Sequence, residues 1–380
     1  MSIKFVEPLL GSTSSADADD LLQKENDSHA RAMPMQRLLG GGMDYADAVA
    51  LHDLGARNVK WADAASHLGE LNLAKAMLAE AEGRWETAKS FYYYASACFR
   101  FSHSAIFSDS DEKKKIYTKM ECAFAAGAHL DRLCIKKVYY EQKGSRLCGW
   151  LVQPSSIGSF PLVICLGGFD GWREEYFTGA QYLADRNIAT LLLDGPGQGE
   201  ARLLNNVYLD KNFTSIISAV LDQILENSIF SSIGIWGNSM GGFLATACAI
   251  SDSRFSACCV NGGTTHPAEI LDRYPRFVSK IQAILGIADP FIAAQTMREF
   301  TVLGLESELK CDLLQLHGEP DKIFLLENAR RIYDNAGSID KLLVIWRDGD
   351  HCIYNHTHEK YTVISDWFSS KLLVNTVSKV

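Results

Sequence analysis

The chain has 380 residues, 47% hydrophobic and 22% charged, which is material for a large core and excludes a disordered or fibrous protein. Lys and Arg number 37 against 46 Asp and Glu, a net charge of −9 that gives no electrostatic basis for binding nucleic acid or an anionic membrane. Ten scattered cysteines without CxxC or zinc-like spacing read as reduced, mostly buried thiols. With no signal-peptide pattern and no apolar run of about 18–20 residues, a cytoplasmic, non-membrane protein is expected.

Residues 30–128 carry helical periodicity. Leu71, Ala74, Leu78 and Ala81 recur at steps of three and four, which sets them on one helical face, and Gly83 interrupts the run. Trp85, Ala88, Tyr92, Ala95 and Phe99 repeat the pattern on a second helix, and Ile116, Met120 and Ala123 line the inner side of a third over 112–127. The pair from 68 to 100 has the small/large alternation of a tetratricopeptide unit, yet no second copy follows at a 34-residue period. Residues 1–130 therefore read as a helical accessory domain rather than a docking array. The aromatic run Phe91, Tyr92, Tyr93 and Tyr94 is either core or the lining of a cavity facing the second half.

From Arg132 the pattern becomes β-rich. Runs at 135–140 and 147–152, separated by Lys143-Gly144-Ser145, suggest a hairpin. Short apolar runs at 162–166, 189–193, 233–236, 257–260, 313–316 and 342–346 then alternate with helical segments. Strands buried on both faces and spaced by helices predict a mostly parallel α/β sheet over 131–380.

Chemistry-bearing residues fall where these strands end. Gly237-Asn238-Ser239-Met240-Gly241 is a G-x-S-x-G sequence between a strand and a helix-capable stretch, the context in which such a serine is a nucleophile. A serine hydroxyl needs a base and a group to orient that base, which the nucleophile-elbow arrangement supplies in the order Ser, acid, His. Asp321 follows the 313–316 strand and is the candidate acid; His351 follows the 342–346 strand and is the candidate base. Asp348 and Asp350 are rival acids, awkwardly placed beside the histidine in sequence. His317 is expected to shape the acid's loop, and His356 and His358 to lie at the surface rather than bind a metal. The Met240 N–H and the Phe169 N–H, from Gly167-Gly168-Phe169-Asp170-Gly171, are the candidate oxyanion donors; the plainer alternative for that loop is an ordinary glycine-rich turn. The run Asp194-Gly195-Pro196-Gly197-Gln198-Gly199-Glu200 lacks the ending of a phosphate loop and reads as a structural turn, so no cofactor and no metal are implied.

Taken together, the 166–175 loop, the 194–200 turn, Gly237-Asn238-Ser239-Met240-Gly241-Gly242 and Asp348-Gly349-Asp350-His351 resemble one α/β-hydrolase group. It contains 2,6-dihydroxypseudooxynicotine hydrolase and the polyketide-shortening hydrolases of fungal pigment and bacterial anthraquinone pathways. The resemblance spans nearly the whole chain, because that group also carries an N-terminal helical domain. It implies an α/β-hydrolase fold, cleavage of a carbon–carbon bond in a β-dicarbonyl or aryl ketone, and a homodimer, with Ser239, Asp321 and His351 as nucleophile, acid and base. It also implies a further acid near the scissile bond, for which Glu269 is the best match and Asp272 the rival, within a lid-like insertion over 264–309. Trp61, Trp85 and the Phe91–Tyr94 run, with Tyr274, Phe277 and Phe291, would line a deep apolar cavity for a polyketide-like substrate, free or carrier-bound. The same triad also serves a carboxylesterase or acyltransferase, and an inert scaffold binding an acyl carrier protein is the alternative outside enzymes.

Overall fold

In the computed structural model, residues 20–373 are described, apart from 143, 155–157, 170 and 228–229. The chain divides into two units between Asp131 and Arg132.

The first unit consists of helices: α1 (Asp20–Ala32), α2 (Met35–Gly40), α3 (Tyr45–Ala56), α4 (Trp61–Ala81), α5 (Trp85–Ser104) and α6 (Asp111–His129). Side-chain caps start two of them, Asp44 accepting the Ala46 N–H and Ser110 the Lys113 N–H. The buried stripe of α4 is Ala65, Leu68, Gly69, Asn72, Ala76 and Ala79, while Leu78 is 51% exposed. The face carrying Leu71, Ala74, Leu78 and Ala81 is thus not the packed one. The reason is close helix approach: a Cβ on Gly69 would lie 2.6 Å from the Phe99 ring, so α4 meets α5 through small residues rather than its largest ones. On α5, Ala88, Tyr92, Ala95 and Phe99 are buried as expected, but Trp85 is 55% exposed. Ile116, Met120 and Ala123 of α6 are buried. The aromatic run works in helix contacts: Tyr92 donates to Glu80 at 2.5 Å, and Tyr93 packs on Phe124 and donates to Asp131 at 2.9 Å. Trp61 is core to this unit.

The second unit holds an eight-stranded sheet: β1 (Cys134–Gln142), β2 (Ser145–Gln153), β3 (Phe160–Leu166), β4 (Ala189–Asp194), β5 (Phe230–Asn238), β6 (Ala257–Asn261), β7 (Asp312–Gly318) and β8 (Lys341–Trp346). The order is β1-β2-β4-β3-β5-β6-β7-β8; β1 and β2 pair antiparallel, β2 is antiparallel to β4, and the rest are parallel. Gly144 takes φ +83° in the β1–β2 turn, while Lys143 lies outside the described residues. Every residue of β3, β4 and β6 is buried, which is why they read as continuous apolar runs. Helices α7 (Phe177–Ala184), α8 (Gly199–Leu203), α9 (Phe213–Asn227), α10 (Met240–Ser251), α14 (Leu326–Asn335) and α15 (Thr357–Leu372) connect or flank the strands.

Between β6 and β7 the chain makes a helical excursion with α11 (Ile270–Arg273), α12 (Val278–Leu285) and α13 (Pro290–Arg298). Tyr274 and Phe277 there pack against the core of the sheet unit, but Phe291 is 72% exposed. Its place at the start of α13, just after the Asp289 cap, turns it to solvent. Among the described residues, no single helix is long and apolar enough to cross a membrane; a bent pair, Pro275–Leu285 with Pro290–Arg298, passes that length-and-composition test together.

Candidate active site

Parallel strands deliver their C-terminal loops to one edge of the sheet, where α/β folds place their sites. β5 ends at Asn238, and Ser239 adopts φ 57°, ψ −126° before α10 begins at Met240. A non-glycine residue held in that region carries backbone strain, and packing enforces it here. A Cβ on Gly237 would strike the Gly241 backbone, and one on Gly241 would strike the Leu166 and Gly167 carbonyls, so only glycines permit this turn.

The structure brings Ser239, His351 and Asp321 into one chain of hydrogen bonds. His351 Nε2 lies 2.8 Å from Ser239 Oγ, and its Nδ1 lies 2.7 Å from Asp321 Oδ2. Asp321 is buried, and its Oδ1 accepts the Ile323 N–H at 2.8 Å and the Phe324 N–H at 3.3 Å. Burial alone would raise the Asp321 carboxyl, but the His351 charge, its hydrogen bond and His317 hold it below the ordinary carboxylate value. Burial likewise opposes a charge on His351, yet Asp321 outweighs it and raises the imidazole well above its usual value. His317 Nε2 donates to the Phe324 carbonyl at 3.0 Å and lies 3.6 Å from Asp321, bracing the acid's loop. Burial lowers the His317 pKa, favouring the neutral ring.

The rival acids are engaged elsewhere. Asp350 caps the turn after His351 by accepting the Tyr354 N–H at 2.5 Å, and Asp348 holds His356 at 2.9 Å. His358 is exposed and meets the Tyr182 hydroxyl at 2.7 Å. Among the described residues, no group of His, Cys, Asp and Glu is arranged to hold a metal. Glu269 is buried just beyond β6, taking hydrogen bonds from Thr264 at 2.5 Å, Asn328 at 2.5 Å and Arg273 at 3.2 Å. Asp272 is a surface residue 3.6 Å from Arg298.

Met240 supplies its N–H from the first turn of α10, where backbone donors have no intrahelical partner. Phe169 lies in the loop after β3, in the core of the sheet unit and 6.2 Å from the Phe277 ring. The preceding Gly168 presses on Ser239: a Cβ there would be 2.7 Å from Ser239 Cβ.

Sequence reasoning missed three supports. Cys352 and Ile353 both take positive φ, 60° and 57°, directly after His351. For a β-branched residue that conformation is costly, and the buried Lys360 ammonium secures it by donating to the Cys352 carbonyl at 3.0 Å. Burial pushes the Lys360 pKa down to about 8. Lastly, Arg173 is fully buried against Glu174 at 2.9 Å, Asp194 at 3.0 Å and Glu200 at 2.9 Å. Only the acidic pair Glu174-Glu175 beside Arg173 hinted at this cluster in the sequence.

A serine elbow after β5, an acid loop after β7 and a histidine loop after β8, on a sheet of this order, define the α/β-hydrolase fold. A family model described as the alpha/beta hydrolase fold matches residues 161–283. Within that class the chain is similar to the 2,6-dihydropseudooxynicotine hydrolase of Paenarthrobacter nicotinovorans, 25% identical over 89% of this chain and 91% of that protein. It is also similar to the hydrolase LUC6 of a Fusarium species, 26% identical over 76% of this chain and 81% of that one. The crystal structure of 2,6-dihydroxy-pseudo-oxynicotine hydrolase superposes with a TM-score of 0.79 at 24% identity, over 89% of this chain and 95% of that one.

Proposed function

We propose that this α/β-hydrolase cleaves a carbon–carbon bond in a β-dicarbonyl or aryl-ketone substrate through an acyl-enzyme on Ser239, with a polyketide-like chain as the leading substrate. The observation that carries the reading is the unbroken contact from Asp321 through His351 to Ser239. The resemblance to a hydrolase named for a pseudooxynicotine supports a ketone rather than an ester.

In this scheme Ser239 Oγ attacks the ketone carbonyl as His351 Nε2 takes its proton, and the carbonyl electron pair moves to the oxyanion facing the Phe169 and Met240 N–H groups. Collapse breaks the carbon–carbon bond. The departing carbon is tolerable only as a stabilised enolate or phenol-activated carbanion, and the imidazolium returns its proton to it. Water then attacks the acyl-enzyme with His351 as base, releasing a carboxylic acid and free Ser239. Asp321 stays ionised and holds the ring. Glu269 is the reading's additional acid, and its anchoring by Thr264, Asn328 and Arg273 suits a group of fixed position. A homodimer acting on free or carrier-bound substrate completes the proposal.

Intact-protein mass spectrometry tests it, comparing the native protein with Ser239→Ala and His351→Ala after exposure to β-diketones, aryl ketones and polyketide mimics. A Ser239-dependent mass adduct with a shortened carbon product is expected. Turnover of simple esters with no adduct or product from any ketone would replace the carbon–carbon reading with an esterase.

A further inference from the structure

The turn at 194–200 reads in sequence as a structural element, but one of its side chains reaches the loop beside the nucleophile. We infer that Gln198 is a positioning residue that aims the Phe169 N–H at the developing oxyanion, an inference that rests on the serine-hydrolase reading above.

Gln198 is buried, and its amide has one possible orientation. Oε1 accepts the Gly195 N–H at 3.1 Å, so Nε2 faces the loop after β3, where it donates to the Gly167 carbonyl at 2.5 Å and reaches the Gly168 carbonyl at 3.4 Å. A trans peptide is planar, with its C=O and N–H pointing in opposite directions. Holding a carbonyl on one side therefore fixes where the next residue's N–H points. The buried Tyr176 hydroxyl lies near the Gly168 nitrogen on the same loop. The next peptide is held by Gln198 at the Gly168 carbonyl, which turns the Phe169 N–H away from Gln198 while Gly168 packs against Ser239.

The turn itself is braced so that Gln198 cannot drift. Asp194 accepts the Glu200 N–H at 2.9 Å, and Gly199, at φ +39°, sits so close to the Asp194 carboxylate that no Cβ fits. Arg173, just beyond the 167–172 loop, pairs with Asp194 and Glu200 of the same turn at 3.0 and 2.9 Å. The oxyanion loop is thus tied to one turn at both ends, by Gln198 at its start and by Arg173 at its finish.

A trifluoromethyl ketone tests this, because addition of Ser239 Oγ to its carbonyl transfers the serine proton to His351 and leaves an oxyanion that needs the donors. In Gln198→Leu its affinity and the kcat for a p-nitrophenyl ester should fall about 10- to 100-fold, below the loss of a whole oxyanion donor, with KM little changed. Gln198→Glu fills the same space but presents oxygen to the Gly167 carbonyl, and should lose as much; a purely space-filling side chain would be rescued by it. Gln198→Asn, made in parallel, keeps an amide but is one methylene too short for the Gly167 and Gly168 carbonyls and should also weaken the inhibitor at least tenfold, which keeps the test open if the other two variants fail to fold. Native-like affinity in folded Gln198→Leu, or in folded Gln198→Asn where the Leu variant does not fold, overturns the inference. Failure of the native protein to bind the ketone or label at Ser239 would instead remove the serine-hydrolase reading beneath it.

Discussion

Asp321→Asn replaces one oxygen by an NH2 group, and the structure dictates which way the new amide must sit. Oδ1 already accepts the Ile323 and Phe324 N–H groups at 2.8 and 3.3 Å, so the amide oxygen stays there and the NH2 turns to His351 Nδ1. That nitrogen must then accept a hydrogen bond, the ring proton moves to Nε2, and the atom 2.8 Å from Ser239 Oγ becomes a donor. The base is lost while shape and packing are kept. A wrong tautomer of this kind lowers kcat about 10⁴-fold, equivalent to about 5.5 kcal/mol in the barrier. Steady-state ester hydrolysis at pH 8 measures it, with a thermal melt to show that the variant is folded and fluorophosphonate labelling to report Ser239 reactivity. A folded Asp321→Asn protein retaining more than a tenth of native kcat would refute Asp321 as the residue that orients His351.

His351 must be neutral to act as base, and its pKa is raised, so kcat/KM should rise with pH through a midpoint above 6.5. A profile with its acid limb below 6.5 would contradict that; the matching stability term is full below about pH 6.5 and fades as pH climbs through the folded value, a dependence His351→Gln should flatten in chemical denaturation. Arg173→Met takes the guanidinium from three carboxylates; Glu200 keeps Lys137 and Glu174 keeps the Trp150 N–H, but Asp194, already pushed up to about 6 by burial, loses its cation, and the change should cost about 3–5 kcal/mol in urea unfolding; a shift under about 1 kcal/mol would mean that the cluster is dispensable. Gly69→Ala puts a methyl group 2.6 Å from the Phe99 ring and should destabilise the helical unit by about 1–3 kcal/mol, read as a lowered melting temperature. Neutral or raised stability would show that α4 and α5 separate freely.

Much of the hydrolase unit was legible in the linear chain. Strands buried on both faces leave unbroken apolar runs, and Ser239, Asp321 and His351 stand out by their position just past the ends of such runs. The elbow was legible because steric exclusion at Gly237 and Gly241 acts on the local backbone. The helical unit was harder. Apolar spacing picked Leu78 over Ala76 and Ala79, because hydrophobicity records the transfer preference of a side chain and not the gap between two helices.

What the tertiary structure decided is which distant groups meet. Lys360 holds the carbonyl of Cys352 through a turn with positive φ, Arg173 gathers two carboxylates from the 194–200 turn, and Gln198 reaches back 31 residues to Gly167. No periodicity encodes such pairings. A buried polar group must find a partner, but which partner depends on where the crossover connections bring the backbone. The sequence by itself determined the strand ends, the elbow and the three residues that meet there; the packing of strands far apart in the chain decided how that trio and the loop after β3 are held, because desolvated charges and amides are satisfied only by neighbours in space.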